Sequence, residues 1–204
     1  MRPQSRKSYH HGDLRNALLE AALELVQETG STHFSLRDVT ERIGVSQPAF
    51  YRHFSDLDDL LSTLCRDGFG AFGELEHEMM ADNPDPWVRL RALVRAYIHF
   101  AVSNPGYFRI MFDSGLANRP ENIARAKPTF QVLANTIEEL LGPGEASFDQ
   151  AEAVWAAMHG LSALMLSGQL GDVLRKPDRA ARLEAAAAKL IERGLKRPRR
   201  GPSG

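Results

Sequence analysis

A single cysteine, Cys65, stands in 204 residues. It cannot form a disulfide within the chain, and every cysteine-based metal motif falls away with it. Such usage fits a reducing compartment. Long apolar runs are also missing. The most apolar stretch, Trp155 to Leu166, is interrupted by His159 and Gly160, and it is shorter than the roughly 20 residues needed to cross a bilayer. No apolar segment follows the N-terminal charges, so no secretory signal is read. A soluble, cytoplasmic protein without membrane contact is the expectation. Neither sign of charge prevails: the formal net charge is −1, so any attraction to nucleic acid must come from local clusters. There is no Gly-rich phosphate loop, no nucleophile elbow and no His-x-x-x-His pair. Asp58-Asp59 and Glu138-Glu139 read as solvated faces, and His10-His11 points to metal only weakly. The chain is therefore not read as an enzyme, and no cofactor or metal site is expected.

Valine and isoleucine are sparse and never alternate, whereas apolar residues recur at helical spacing. The fold class is expected to be all-α. A first helix begins near Asp13, buries Leu14, Ala17, Leu18, Ala21, Ala22 and Leu25, and stops at Gly30. Ser35, with Asp38 three residues later, forms a capping-box pattern ahead of Leu36, Val39 and Ile43. Gly44 permits a positive φ, Val45 fills the corner, and Ser46 caps a third helix whose Pro48 falls in the first turn. A fourth helix is expected from about Asp56 to Met80, across Gly68, Gly70 and Gly73. Those glycines fit a hinge as well as close packing against a neighbour. After a break at Asp82-Asn83-Pro84-Asp85-Pro86, helices are expected over Trp87 to Ser103, through Phe112, over Glu121 to Leu141, from a cap at Ser147 with Gln150 to Leu170, and over Asp178 to Arg193.

Charge clusters at both ends. Arg2, Arg6, Lys7 and Arg15 face only Asp13, and the chain closes on Lys196-Arg197-Pro198-Arg199-Arg200. Residues 1–12 read as a basic flexible arm, which fits a disordered start or a groove contact. Residues 195–204 read as a basic disordered tail. Between them the expected helices group into a helix-turn-helix domain over 13–60, with its motif at 34–54, and a helical domain over 61–194.

The third helix carries the functional signal. Phe50 and Phe54, at i and i+4, share one side and can pack on the second and first helices. Pro48, Ala49, Tyr51 and Arg52 fall on the other. Gln47 lies in the first turn, where a recognition helix presents side chains to base edges, and its amide suits adenine. Tyr51 and His53 can reach phosphates, as can Ser35, Arg37 and Ser46 at helix starts that favour anions. The same geometry also occurs as a plain turn between packed helices.

Five segments then carry a resemblance. They are His11-Gly12-Asp13-Leu14-Arg15, Ala21-Ala22-Leu23-Glu24-Leu25, Phe34-Ser35-Leu36-Arg37-Asp38-Val39, Gly44-Val45-Ser46, and Phe50-Tyr51-Arg52-His53-Phe54 followed by Leu60-Leu61. Over this first third the chain resembles the tetracycline-repressor (TetR) family. One departure is Leu57, which stands where the family usually places a phosphate-touching lysine. The resemblance implies three N-terminal helices joined by a long fourth to a C-terminal helical ligand-binding and dimerisation domain, hence a homodimer on a near-palindromic double-stranded operator. Trp155, His159-Gly160, Leu161 and Leu164, with Asn104-Pro105, resemble the tryptophan-His-Gly subclass of that domain.

Tyr97, Phe100, Phe108, Met111, Phe112, Phe130, Trp155, Met158, His159 and Met165 are candidates to line an apolar effector pocket, though each also suits ordinary core. The function expected is a repressor released by a small apolar or amphipathic molecule. A sequence-nonspecific architectural DNA-binding protein and a helical small-molecule-binding module are the alternatives.

Overall fold

The computed structural model describes residues 11–80, 82–112 and 115–196. The expected arm up to His10 and the tail from Arg197 lie outside these residues. Among those described there is no strand, and nine α-helices follow in order. They are α1 (His11–Thr29), α2 (Leu36–Ile43), α3 (Gln47–Phe50), α4 (Leu57–Met80), α5 (Pro86–Ser103), α6 (Pro105–Phe112), α7 (Pro120–Leu141), α8 (Glu145–Leu166) and α9 (Pro177–Lys196). No helix among the described residues is long and apolar enough to cross a membrane.

The helices form two compact units. One comprises the chain up to Asp67 together with Gly106–Asn122; the other comprises Gly68–Pro105 and the chain from Ile123 onward. The division falls inside α4, which remains one α-helix through Gly68, Gly70 and Gly73.

In the first unit α1 buries Leu18, Ala22 and Val26 completely. Leu25, expected on the buried stripe, is only half-buried, because Val26 takes the core position one residue on. Gly30 ends α1 at φ +66°, its N–H bonded to the Val26 carbonyl at 2.9 Å and its own carbonyl accepting from Arg109 at 3.0 Å. Gly106 stands inside the first turn of α6. A Cβ there would lie 2.7 Å from Leu23 Cδ1 and 2.9 Å from Gln27 Cγ on α1, so any larger residue would have to push these two side chains aside.

In the second unit α5 is the central element, burying Leu90, Leu93, Val94, Ala96, Ile98 and Ala101 against α8 and α9. Asp85 caps it by accepting the Trp87 N–H at 2.8 Å, with Pro86 in the first turn. Arg91 pairs with Glu192 of α9 at 3.0 Å, and the Lys196 ammonium sits 4.5 Å from the centre of the Trp87 ring. These contacts hold α9 helical to Lys196, three residues past its expected end.

The start of α8 corrects the capping pattern at Ser147. The helix opens at Glu145 after Gly144, and Ser147, already inside the first turn, donates its hydroxyl back to the Gly142 carbonyl. The positive φ of Gly142 and Gly144 turns the chain into α8 earlier than a serine cap would require. The helix also stops at Leu166, short of Leu170, where Ser167 and Gly168 close it with hydrogen bonds to the carbonyls of Ala163 and Met165.

Candidate nucleic-acid interface and aromatic cluster

The segment from Ser35 to Phe54 is locked at each of its corners. Ser35 adopts an extended backbone and its Oγ accepts the Asp38 N–H at 3.2 Å, while the Asp38 carboxylate accepts the Ser35 N–H and hydroxyl at 2.7 Å each. The Ser35 N–H and hydroxyl hold the Asp38 carboxyl below the usual carboxylate range. The Ser35 hydroxyl is thereby engaged in starting α2. Ser35→Ala is expected to cost about 0.5–2 kcal/mol; amide exchange along α2 measures it, and unchanged protection would contradict a role for the cap.

The turn after α2 is a Schellman closure. Gly44 sits at φ 71°, its N–H reaches the Glu41 carbonyl at 3.2 Å, and the Val45 N–H reaches Thr40 at 3.0 Å. Two orphan carbonyls are satisfied in one step, and the chain is turned toward α3 at a position where any Cβ would be strained. Arg42 ties α2 to α1 through Glu28 at 2.5 Å and Glu24 at 3.4 Å.

Only Gln47–Phe50 forms α3 proper, with Ser46 at its N-cap and Pro48 in the first turn. The Ser46 side chain makes no cap hydrogen bond there. The helical bonding continues as a turn, from Tyr51 N–H to the Gln47 carbonyl at 3.2 Å and from Phe54 N–H to Phe50 at 3.2 Å. Phe50 is completely buried, Phe54 nearly so, and their ring centres lie 5.7 Å apart. The Arg15 guanidinium of α1 covers the Phe54 ring at 5.0 Å. The rings thus anchor the segment from behind.

The opposite face is open. Ser35, Arg37, Ser46, Gln47, Pro48, Tyr51 and Arg52 are all exposed, Tyr51 at 57%. Arg37 pairs with Glu41 at 2.6 Å across one exposed helical turn. Ala49 departs from the expected set: it is 7% exposed and buried along with Phe50, so the packed side of α3 includes it. His53 is half-buried and its Nε2 is enclosed with no hydrogen-bond partner, so that nitrogen is not presented at the surface. At Leu57 a half-buried apolar residue opens α4, whose start is capped by Asp56 accepting the Asp59 N–H at 2.8 Å.

The candidates for an effector pocket separate between the units. Phe108, Met111 and Phe112 belong to the first, where the Phe108 and Phe112 ring centres are 4.9 Å apart. Tyr97, Phe100, Phe130, Trp155, Met158, His159 and Met165 belong to the second. Within it they join a connected aromatic group. The Tyr97 hydroxyl lies 2.9 Å from His159 Nδ1 and accepts from Trp155 Nε1 at 3.3 Å. Phe72 meets Tyr97 edge-on at 5.4 Å and Phe100 at 5.3 Å, and Phe130 meets Trp155 at 6.0 Å. Burial, above all, pushes the Tyr97 phenol up, so it stays neutral. Met158 and Met165 are buried, and Trp155 is 39% exposed.

Periodicity overlooked two members of this group, Phe72 and Glu76 on α4. Glu76 is 5% exposed, and its i,i+4 spacing from Phe72 was the available signal.

A family model described as bacterial regulatory proteins, tetR family, matches residues 18–64, which include every helix of the motif just described. A second, described as the tetracyclin repressor-like C-terminal domain, matches residues 90–190. The chain belongs to the TetR family of transcriptional regulators. Its DNA-binding helix-turn-helix is the α2–α3 segment. The nucleoid occlusion factor SlmA of Marinobacter nauticus is 26% identical over 132 residues, 64% of this chain and 68% of that protein. The first curated relatives are matched over 58–68% of their own lengths. Among solved structures, a Rhodococcus sp. RHA1 protein of unknown function superimposes with a TM-score of 0.74 at 27% identity, over 94% of this chain and all of that one. The regulator FadR of Bacillus subtilis, solved in complex with stearoyl-CoA, superimposes with a TM-score of 0.66 at 14% identity, over 86% of this chain and 96% of its own.

Proposed function

We propose that this TetR-family regulator is a homodimeric repressor that a small apolar or amphipathic molecule releases from a near-palindromic operator. One observation carries the reading: Tyr51 stands 57% exposed beside the fully buried Phe50, with Gln47, Pro48 and Arg52 open on the same segment. A short helix fixed from behind by aromatic packing and open in front suits insertion into a major groove. Gln47 reads adenine, Tyr51 and Arg52 bind phosphate, and the helix starts at Ser35 and Ser46 add N–H groups toward the backbone.

A second copy supplies the second reading head. Ala156, Ala157, Ala163 and Leu164 of α8 and Ala185, Ala186 and Leu190 of α9 are exposed small or apolar side chains, Leu190 at 73%. Such faces suit close helix packing across a two-fold axis. Half-sites about 34–36 Å apart, or a multiple of that, follow from this arrangement.

The effector binds in the second unit at the Tyr97–Trp155–His159 group. The helix α4 is common to both units, so a shift imposed on it by ligand reaches the reading heads; a coupling of about 1–3 kcal/mol is the scale expected.

The test selects bound fragments from random DNA and then screens small molecules for release. Selection of no preferred sequence overturns the reading in favour of an architectural or non-DNA-binding protein. Tyr51→Ala is expected to weaken operator affinity at physiological salt by at least several-fold, about 1 kcal/mol or more, while the dimer stays folded. Undiminished affinity in a titration removes Tyr51 from the interface.

A further inference from the structure

A buried carboxyl inside the aromatic group has no counterpart in the expected apolar pocket. Glu76 projects from α4 on the side that carries Phe72, one turn before it. It is 5% exposed, and its Oε2 meets no hydrogen-bond partner among the described residues. Native structures rarely leave a buried polar atom so. Tyr97 on α5 feels its charge, and through the Tyr97 hydroxyl it is connected to His159 and Trp155 on α8. The side chain nearest the neighbouring Gly73 from α7 is the uncharged Thr129.

Resting on the effector site described above, we propose that Glu76 makes that site selective for an organic cation: an apolar body bearing a protonated amine or a quaternary ammonium. Such a ligand suits both halves of the environment. Its charge neutralises the carboxylate, and its polarised N–CH groups lie against the faces of Phe72, Tyr97 and Trp155. A neutral ligand would use only the apolar walls, and a carboxylate-bearing ligand would find no positive charge there and could only keep Glu76 protonated. Trp155, partly exposed, places one edge of the group at the surface.

The same carboxyl predicts how binding depends on pH. Burial pushes Glu76 up to about 8, so it is mostly protonated at pH 7 when the site is empty. A bound cation favours the ionised form, so binding at pH 7 expels roughly nine-tenths of a proton, and affinity rises by about tenfold from pH 6 to pH 7 before flattening above pH 8. Tyr97, which feels the Glu76 charge, stays neutral across this range, and its hydroxyl is hydrogen-bonded to His159.

The experiment uses the full chain and three probes with one apolar body: decyltrimethylammonium, decanol and decanoate. Calorimetry in two buffers of different ionisation enthalpy reads affinity and proton release together. The ammonium is expected to bind at least about tenfold more tightly than decanol, decanoate more weakly than either, and proton release to accompany only the ammonium. In Glu76→Gln the ammonium advantage and the proton release should both vanish while decanol binding persists, which shows that the site still folds. Equal binding of ammonium and decanol, no ammonium binding, or a pH slope that survives in Glu76→Gln would each overturn the assignment; the last would mean that a group other than Glu76 releases the proton. The effector reading itself stands or falls separately, on whether any probe that binds also releases the selected DNA.

Discussion

Replacing Phe50 with alanine is expected to abolish operator binding while leaving the second unit folded. The ring is wholly buried and packs between Phe54 and the edge of Tyr51, at centre distances of 5.7 Å each. Truncating such a phenylalanine costs about 3–5 kcal/mol, the transfer term plus the cavity left behind. Small units are stable by only about 5–15 kcal/mol in total, so the loss takes much of what holds the helix-turn-helix together. The local consequence exceeds the global one. On the proposed reading Gln47 and Tyr51 meet DNA only while α3 is held in place, and Phe50 is the wholly buried residue of α3. An affinity loss of about a hundredfold or more follows from that cost. Both tryptophans, Trp87 and Trp155, lie in the second unit, so their fluorescence reports its unfolding separately. Retained operator affinity would mean that α3 is positioned by something other than this ring. Phe50→Leu, which keeps most of the volume, should recover most of the binding.

The helix-turn-helix was legible in the sequence because each of its devices is local. The Ser35–Asp38 box, the left-handed Gly44 and the Phe50–Phe54 spacing each involve residues within four positions of one another, and each occurs where expected. Failures arise where longer-range packing decides. Ala49 is expected on the open face with Pro48 and Tyr51, yet it is buried beside Phe50, so the packed side of this segment is wider than the Phe50–Phe54 spacing alone indicates. Ser147 had the residue type of a cap, but two glycines turned the chain earlier. Gly106 is crowded by Leu23 and Gln27, about 80 residues away in sequence, which no local pattern reports.

The candidate site shows the same division. His159, expected to line an apolar pocket, is hydrogen-bonded to Tyr97. Grouping ten aromatic and sulfur-bearing residues by character placed three of them, Phe108, Met111 and Phe112, with seven that belong to another unit. Hydrophobicity says that a side chain is inside, not which interior it joins. Glu76 escaped notice for the opposite reason. An acidic residue near Glu74 and Glu78 looks like part of a wet helix face, and only the packing of α4 shows that its side chain is buried while those two are not fully enclosed.

Glu76→Gln should therefore stabilise the second unit, and by an amount that depends on pH. The folded-state carboxyl is pushed up to about 8 from an ordinary 4.5, with burial as the cause. Below pH 4.5 the group is protonated whether the chain is folded or unfolded, and it contributes no penalty. Between there and about 8 the unfolded chain ionises while the folded one resists, so stability is lost progressively as pH rises; above 8 both states are charged and the loss levels off. At pH 7 the accumulated loss is roughly 3 kcal/mol, taking 1.36 kcal/mol for each pH unit above 4.5. Glutamine has the same shape and never ionises, so its variant should lack this slope. Its buried amide still needs partners, which subtracts about 1–3 kcal/mol if none are found; the pH dependence, rather than the stability at any one pH, is thus the decisive quantity. Denaturant titrations of wild type and variant at pH 5, 7 and 8.5, followed by the fluorescence of Trp87 and Trp155, measure it. From pH 5 to pH 8.5 the variant should gain steadily on the wild type, whichever is the more stable at pH 5. Parallel curves across that range would show that Glu76 already ionises freely in the folded protein, and that its carboxylate is solvated rather than enclosed by Phe72 and Tyr97.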